Sequence, residues 1–122
     1  IMDRSVFVHQ TLDFKAMNEA CKHLLGNQDF TSLSKLHTDV KTNLCHVTEA
    51  KWTQVDETHF YFEISADRFL RNMVRATVGT LLDIGSGKLQ SKDMQSILEA
   101  KDRGQASMSA PAQGLFLYKI VY

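Results

Sequence analysis

Hydrophobic residues recur at helical spacing in three segments of the chain. The pattern predicts helices over roughly 13–25, from Asp67 to about Ile84, and over about 92–101. Gly26 follows the first segment and Gly-Ser-Gly at 85–87 follows the second, as is typical of helix C-termini. Candidate N-caps precede each segment: Thr11 or Asp13, Ser65 or Asp67, and Ser91.

Other segments alternate between apolar and polar residues and predict strands. The predicted strands are a short one over 4–9, a hairpin of 44–55 and 59–66, and a closing strand over 114–122. The alternation is clean in the second strand of the hairpin and mixed in the first. The polar segment 27–43 predicts a long loop, and residues 102–113 predict another.

The resulting order, β-α-β-β-α-α-β, predicts an α+β fold. We expect an antiparallel sheet with helices packed on one face, in a single domain over 1–122. With 43% hydrophobic and 23% charged residues, the chain has the composition of an ordinary globular domain.

The net charge is zero, so the chain as a whole is not an obvious binder of polyanions. The charge is unevenly distributed, however. Residues 68–103 contain seven Lys or Arg and four Asp or Glu, which gives this segment a charge of +3 and the remainder −3. A local basic surface is therefore compatible with a neutral total.

The two cysteines do not form a disulfide framework, and the sequence shows no signal peptide and no apolar run long enough to cross a bilayer. We therefore expect a cytoplasmic protein that has no membrane partner. The chain begins with Ile1 rather than Met, and we expect it to be a fragment of a longer protein.

Most residue patterns with possible chemistry have a structural explanation. No Gly-x-Ser-x-Gly elbow is present, which argues against a serine hydrolase. Cys21-x-His23 and Cys45-His46 lack the spacing that lets two side chains converge on one ion, so no metal site is predicted. Gly-x-Gly-Lys at 85–88 follows a helix, whereas a phosphate-binding loop should open one.

Three arginines remain. Arg68, Arg71 and Arg75 stand at i, i+3 and i+7, a spacing that predicts a shared face on one helix. They could form a solvated stripe, or one of them could face an active site. Arg75 is expected in the middle of the helix with Gly79 one turn later, where the lack of a side chain could make room for a substrate. The residues alone leave both interpretations open.

Two long motifs resemble the C-terminal half of bacterial tRNA pseudouridine synthases of the A type. They are FYFEISADRFLRNMVRATVGTLLDIGSGK and ILEAKDRGQASMSAPAQGLFLYKIVY, and LLGNQDFTSLSK is similar to the segment that precedes them in the family. The resemblance covers nearly all of residues 10–122. It implies the ferredoxin-like half of the pseudouridine synthase fold, and an isomerase that converts uridine to pseudouridine in the tRNA anticodon arm.

The resemblance also implies roles for individual residues. The family's Met-Val-Arg motif matches residues 73–75, so Arg75 would pair with the catalytic aspartate. Leu115 would line the uridine pocket, and Arg68, Arg71 and Asn72 would contact the substrate. The expected partners are tRNA and a second copy of the chain in a homodimer, with no metal and no small-molecule cofactor.

The sequence departs from the family in one respect. The family's aspartate lies in a Gly-Arg-Thr-Asp-x-Gly-Val-His motif, which is absent here. Asp39, in His-Thr-Asp-Val, lacks the flanking residues and is interpreted as a loop residue. We therefore expect the C-terminal part of a two-domain enzyme, inactive by itself. The alternative is a non-catalytic RNA-binding or dimerisation module of the same fold.

Overall fold

An antiparallel sheet carries the helices on one face. The computed structural model describes residues 2–9, 11–35, 42–109 and 116–121, and the first and last of these segments are described as backbone only. The elements in these segments are β1 (Met2–His9), α1 (Phe14–Cys21), β2 (Gly26–Asp29), β3 (Leu44–Gln54), β4 (His59–Ala66), α2 (Met73–Gly85), α3 (Asp93–Ala100) and β5 (Phe116–Val121), with 3₁₀ turns at Lys22–Leu24, Thr31–Leu33 and Arg103–Gln105.

Within the described segments, five strands form one sheet in the order β2-β3-β4-β1-β5, and every neighbouring pair is antiparallel. The predicted hairpin is β3 and β4, and the predicted first and last strands are β1 and β5. The α+β class is therefore confirmed.

The core lies between the sheet and the helices. In β4, Phe60, Phe62 and Ile64 are fully buried and alternate with half-buried residues. Trp52 of β3 packs against this row, with its ring centroid 5.0 Å from that of Phe62. The alternation in the sequence of β4 is thus the alternation between core and outer face.

A bulge explains the mixed pattern of β3. Cys45 and Val47 are buried in the first half of the strand, and Trp52 is buried in the second half. The register against β4 shifts between Val47 and Glu49. One extra residue there exchanges the inward and outward positions, which breaks the alternation along the sequence.

The prediction of a continuous loop over 27–43 was wrong at its start. Gly26–Asp29 forms the edge strand β2, which pairs with β3. Gly26 adopts a φ of 84°, so it ends the preceding helical segment as expected and also starts the strand. Its sequence, Gly-Asn-Gln-Asp, has no apolar alternation because β2 is a short edge strand with no fully buried residue.

Of the side chains predicted to cap α1 and α3, only the one at α1 does so. Asp13 caps α1 as predicted, because its carboxylate accepts a hydrogen bond from the Ala16 N–H at 3.1 Å. Ser91 does not cap α3. Its hydroxyl donates instead to the Ala16 carbonyl of α1 at 2.7 Å, which connects the two helices.

Ser32 anchors the C-terminal end of α3 to the core. Its buried hydroxyl donates to the Ile97 carbonyl at 2.6 Å and accepts from the Asp102 N–H at 2.8 Å. A single buried side chain thus satisfies two backbone groups, one near the end of α3 and one in the segment that follows it.

The turn between β3 and β4 is organised by one carboxylate. Asp56 accepts hydrogen bonds from the backbone N–H groups of Thr58 and His59, and its two oxygens lie 2.7 and 2.9 Å from His59 Nδ1. The predicted hairpin of 44–55 and 59–66 is thus closed by a turn between its two strands.

Helix α2 is the longest described helix, at 13 residues. In the part of the chain that the structure describes, no helix is both long and apolar enough to span a membrane.

Candidate functional site: a basic cleft at the start of helix α2

Helix α2 begins six residues later than the sequence predicts. The expected start was at Asp67, but the helix runs from Met73 to Gly85. Asp67 pairs with β3 instead: its carboxylate accepts from the His46 N–H at 2.8 Å, and its own N–H donates to the His46 carbonyl at 3.0 Å. Asn72 then adopts a left-handed conformation with φ 66° immediately before the helix.

The late start corrects the predicted arginine face. Arg68 and Arg71 precede α2, and only Arg75 lies in the helix, in its first turn rather than its middle. The three arginines therefore do not form a stripe on one helix. Residues 67–72 form a connecting segment held by tertiary hydrogen bonds, which override the local helical pattern.

Arg68 holds the first residue of β3 and the segment just before it. Its Nε donates to the Leu44 carbonyl at 3.0 Å and its Nη2 donates to the Thr42 carbonyl. The Cys45 thiol lies nearby; burial raises the pKa of this thiol and the Arg68 guanidinium partly offsets that rise. The observed contacts of Arg68 are structural, and its contact with substrate stays a prediction.

Arg71 and Arg75 share an open cleft of about 480 Å³, lined also by Lys35, Asn72 and Ser109. Arg71 and Arg75 are exposed, and so is Lys35. Among the described residues that line this cleft, every charged side chain is a cation. The cleft therefore favours an anionic group such as a carboxylate or a phosphate.

Lys35 was not among the candidate residues of the sequence analysis. Its backbone N–H donates to the Arg71 carbonyl at 2.9 Å, which brings two segments 36 positions apart in sequence to one rim of the cleft. No sequence motif marks Lys35. Only the folded chain places it beside the two arginines.

An apolar depression adjoins the basic cleft. Its volume is about 310 Å³, and Phe69, Leu70 and Val74 line it together with the residues from Arg71 to Met73 and with Arg75. Cations beside apolar walls can bind a nucleotide, because the cations attract the phosphate and the apolar walls contact the planar base.

The second wall of the cleft comes from the segment after α3. The Asn72 side-chain amide donates to Ser109 Oγ at 2.5 Å, and Arg103 Nη2 donates to the same oxygen at 3.0 Å. Asn72, a predicted substrate contact, is thus part of a hydrogen-bond network at the rim. Leu115, the predicted pocket residue, lies outside the described residues.

A separate cavity of about 350 Å³ lies between α3 and β2. It is lined by both signs of charge: Lys22, Lys101, Asp29 and Glu99. Within the described residues, no three His, Cys, Asp or Glu side chains are grouped as a metal site would require. The basic cleft is the better candidate because its charges have one sign and it contains the arginine of the Met-Val-Arg motif.

Comparisons with known proteins identify a family that includes this chain. A family model described as tRNA pseudouridine synthase matches residues 20–122. The chain is 56% identical over 115 residues to tRNA pseudouridine synthase A of Bacteroides fragilis, covering 94% of this chain and 46% of that protein. It is 58% identical over 111 residues to the Parabacteroides distasonis protein of the same name, covering 91% and 44% respectively.

A more distant relative gives the same result. tRNA pseudouridine synthase A of Bacillus subtilis is 41% identical over 111 residues, covering 91% of this chain and 44% of that protein. The chain thus spans just under half the length of these relatives. The resemblance seen in the sequence is confirmed, and the chain belongs to the tRNA pseudouridine synthase family.

Proposed function

We propose that this chain forms the arginine-bearing half of the uridine site in a tRNA pseudouridine synthase. The substrate is a uridine in the anticodon arm of tRNA, and Arg75 pairs with a catalytic aspartate supplied by the other half of the enzyme. The proposal is supported by relatives named tRNA pseudouridine synthase A, of which this chain covers just under half.

The observation that carries the proposal is the position of Arg75 in the open basic cleft beside Arg71 and Lys35. A guanidinium at this place can bind a carboxylate through two parallel hydrogen bonds. Two further cations nearby favour the ionised form of that carboxylate. An aspartate that enters the cleft is therefore held charged and oriented, as a nucleophile or base requires.

The reaction is an isomerisation in which all atoms are retained. The bond between N1 of uracil and C1′ of ribose breaks, a bond from C5 to C1′ forms, and the proton on C5 is removed as N1 gains one. Because the atoms balance within the substrate, we propose a reaction without cofactor or metal. The detached base must stay in place until the new bond forms. A pocket that encloses the base and excludes water keeps it there.

The other candidate residues divide between base and backbone. Arg71 and Lys35 are suited to phosphates on the rim of the cleft, and the apolar depression beside them is suited to a base. Contacts of Arg68, Asn72 and Leu115 with tRNA remain part of the proposal, with Arg68 the weakest because its observed contacts are to the protein backbone.

The same cleft also suits a non-catalytic RNA-binding role, because three exposed cations would attract a phosphate equally well. The two functions differ in what Arg75 meets. If it meets phosphate, Arg75→Ala lowers the slope of log affinity against log salt by about one. If it meets a carboxylate, the slope is retained and catalysis is lost.

The test is pseudouridine formation in tRNA by the synthase that contains this chain, with Arg75→Ala, Arg75→Lys and the control Lys88→Ala, which removes an exposed cation outside the cleft. We expect Arg75→Ala to lower kcat about 100-fold or more, as is typical when one partner of a desolvated ion pair is removed. Arg75→Lys should recover only a small part of the lost kcat, because an ammonium cannot form the two parallel hydrogen bonds that a guanidinium makes to a carboxylate. Wild-type activity in Arg75→Ala would refute the assignment.

The remaining parts of the proposal concern the whole protein. We propose a cytoplasmic homodimer that binds tRNA, and a 122-residue chain that makes no pseudouridine alone because it lacks the Gly-Arg-Thr-Asp motif. Sedimentation of the synthase checks the dimer. Rapid pseudouridine formation by the isolated, folded chain would overturn the division of the site between two halves.

A further inference from the structure

The segment after α3 is fixed to the core before it reaches the cleft. The Asp102 N–H bonds to the buried Ser32 hydroxyl, and the Asp102 carboxylate accepts from the Gly104 N–H at 2.9 Å. Arg103 begins a 3₁₀ turn held by these bonds. Its guanidinium therefore extends from a well-anchored backbone.

Arg103 holds the next part of the chain with two donors of one planar group. Nη1 donates to the Ser107 carbonyl at 2.7 Å and Nη2 donates to Ser109 Oγ at 3.0 Å. Two bonds from a rigid guanidinium fix both the distance and the orientation of the segment 107–109. A single-point donor would leave it free to rotate.

Ser109 is the point where this segment meets the start of α2. Its Oγ accepts from Arg103 and from the Asn72 side-chain amide, and Ser109 lines the basic cleft. A hydroxyl oxygen has two lone pairs and one proton. Because both lone pairs are occupied by N–H donors, the hydroxyl is left with its proton to donate.

We infer that Arg103 is a positioning residue that, together with Asn72, sets Ser109 as a hydrogen-bond donor to an acceptor oxygen of the nucleotide bound in the cleft. The acceptor is a uracil carbonyl or a phosphate oxygen, both of which only accept. The charge of Arg103 also polarises the hydroxyl and makes it a better donor. This inference rests on the proposed function for its substrate.

The test compares Arg103→Ala, Ser109→Ala and the double variant in the synthase that contains this chain, with Lys88→Ala as the charge control. Each single variant should raise KM for tRNA about fivefold to tenfold, the value of one hydrogen bond to substrate, while kcat changes less. The double variant should have the same KM for tRNA as Ser109→Ala, because Arg103 acts through the Ser109 hydroxyl. Arg103→Lys should restore part of the loss.

A purely structural role gives different results. It would lower the fraction of active enzyme, and hence kcat and Tm, at unchanged KM, and the effects of the two substitutions would add. Either outcome overturns the inference. If Arg103→Ala does not fold, Ser109→Ala and Ser109→Thr still decide it, since only the first removes the hydroxyl.

Hydrogen exchange separates this inference from the proposed function. Arg103→Ala should speed amide exchange at residues 107–109, whereas Lys88→Ala should not. If the wild-type synthase makes no pseudouridine, the proposed function fails and the exchange rates still test the positioning. Unchanged exchange in Arg103→Ala would overturn it whether or not the enzyme is active.

Discussion

The substitution Gly85→Ala tests how α2 packs against α1. Gly85 is buried at the end of α2, and its carbonyl accepts from the Asp13 N–H at 2.8 Å. A methyl group placed on its Cα would lie 2.8 Å from Met17 Sδ, 3.0 Å from Met17 Cγ and 3.2 Å from Leu12 Cβ. Met17 is fully buried, so its side chain has little room to withdraw. The glycine is thus required for close packing.

Two effects of opposite sign determine the free energy of unfolding. Overpacking by one methyl group costs about 1–3 kcal/mol. Replacing glycine by alanine in a helix returns about 0.5–1 kcal/mol. The net expectation is a loss of roughly 1–2 kcal/mol, which corresponds to a Tm lower by about 4–8 °C for a chain of this size.

Urea unfolding of the 122-residue chain measures the effect. Trp52, the single tryptophan, is buried between Phe60 and Phe62, so its fluorescence reports on the core. With an m-value of about 2 kcal/mol/M, the midpoint should fall by about 0.5–1 M. Coincident far-UV circular dichroism would show that unfolding remains two-state.

Gly87→Ala is the matched comparison. Gly87 lies two residues further on, has a φ of 87°, and has open space where an alanine would place its methyl group, with nothing within 4 Å. The substitution should cost about 1–2 kcal/mol from backbone strain alone. Truncating Met17 should therefore relieve Gly85→Ala by about 1 kcal/mol and leave the cost of Gly87→Ala unchanged. Wild-type stability for Gly85→Ala, or equal coupling of both glycines to Met17, would refute the packing explanation.

Buried and hydrogen-bonded groups give three further predictions. Ser32→Ala should lower the free energy of unfolding by about 1–3 kcal/mol because it removes the partner of the Ile97 carbonyl and of the Asp102 N–H. Ser34→Ala removes a hydroxyl whose bond to the Thr31 carbonyl is long, at 3.4 Å, and should cost clearly less; equal urea midpoints would contradict this. Burial raises the pKa of Cys21 to about 12 and also raises that of Cys45, so a thiol reagent at pH 8 should label neither cysteine in the native chain and both in urea. Hydrogen bonds from the turn backbone, and then from the neighbouring imidazole, lower the pKa of Asp56. The stabilisation that this carboxylate gives is therefore complete above its ordinary pKa of 3.8 and is lost as the pH falls through the lower folded value. Asp56→Asn should destabilise the chain at pH 6 and have little effect near pH 2, and a difference in stability that persisted in acid would contradict the assignment.

The periodicity of the sequence was sufficient for the fold class and most elements. Alternation identified β4, helical spacing identified α1 and α3, and the Met-Val-Arg motif directed attention to Arg75. These signals are local. Each depends on which side of one strand or helix faces the core, and the order of apolar and polar residues in that element indicates the side.

Tertiary contacts decided the features that local patterns could not reveal. Helix α2 starts at Met73 rather than Asp67 because Asp67 and Arg68 make hydrogen bonds to β3. These contacts are with a distant part of the chain, so the helical spacing of apolar residues does not reveal them. The edge strand β2 exists because β3 offers it hydrogen-bonding groups, although its own side chains carry no pattern.

The candidate site shows the same division. The sequence directed attention to Arg68, Arg71 and Arg75 and indicated the family, but it placed all three arginines on one helix. Only the folded chain brought Lys35 and Ser109 to the same cleft and used Arg103 to hold one wall of it. The physical reason is that the site is formed by segments that are distant in the sequence. Its geometry depends on hydrogen bonds and packing between these segments, which the sequence of any one segment does not determine.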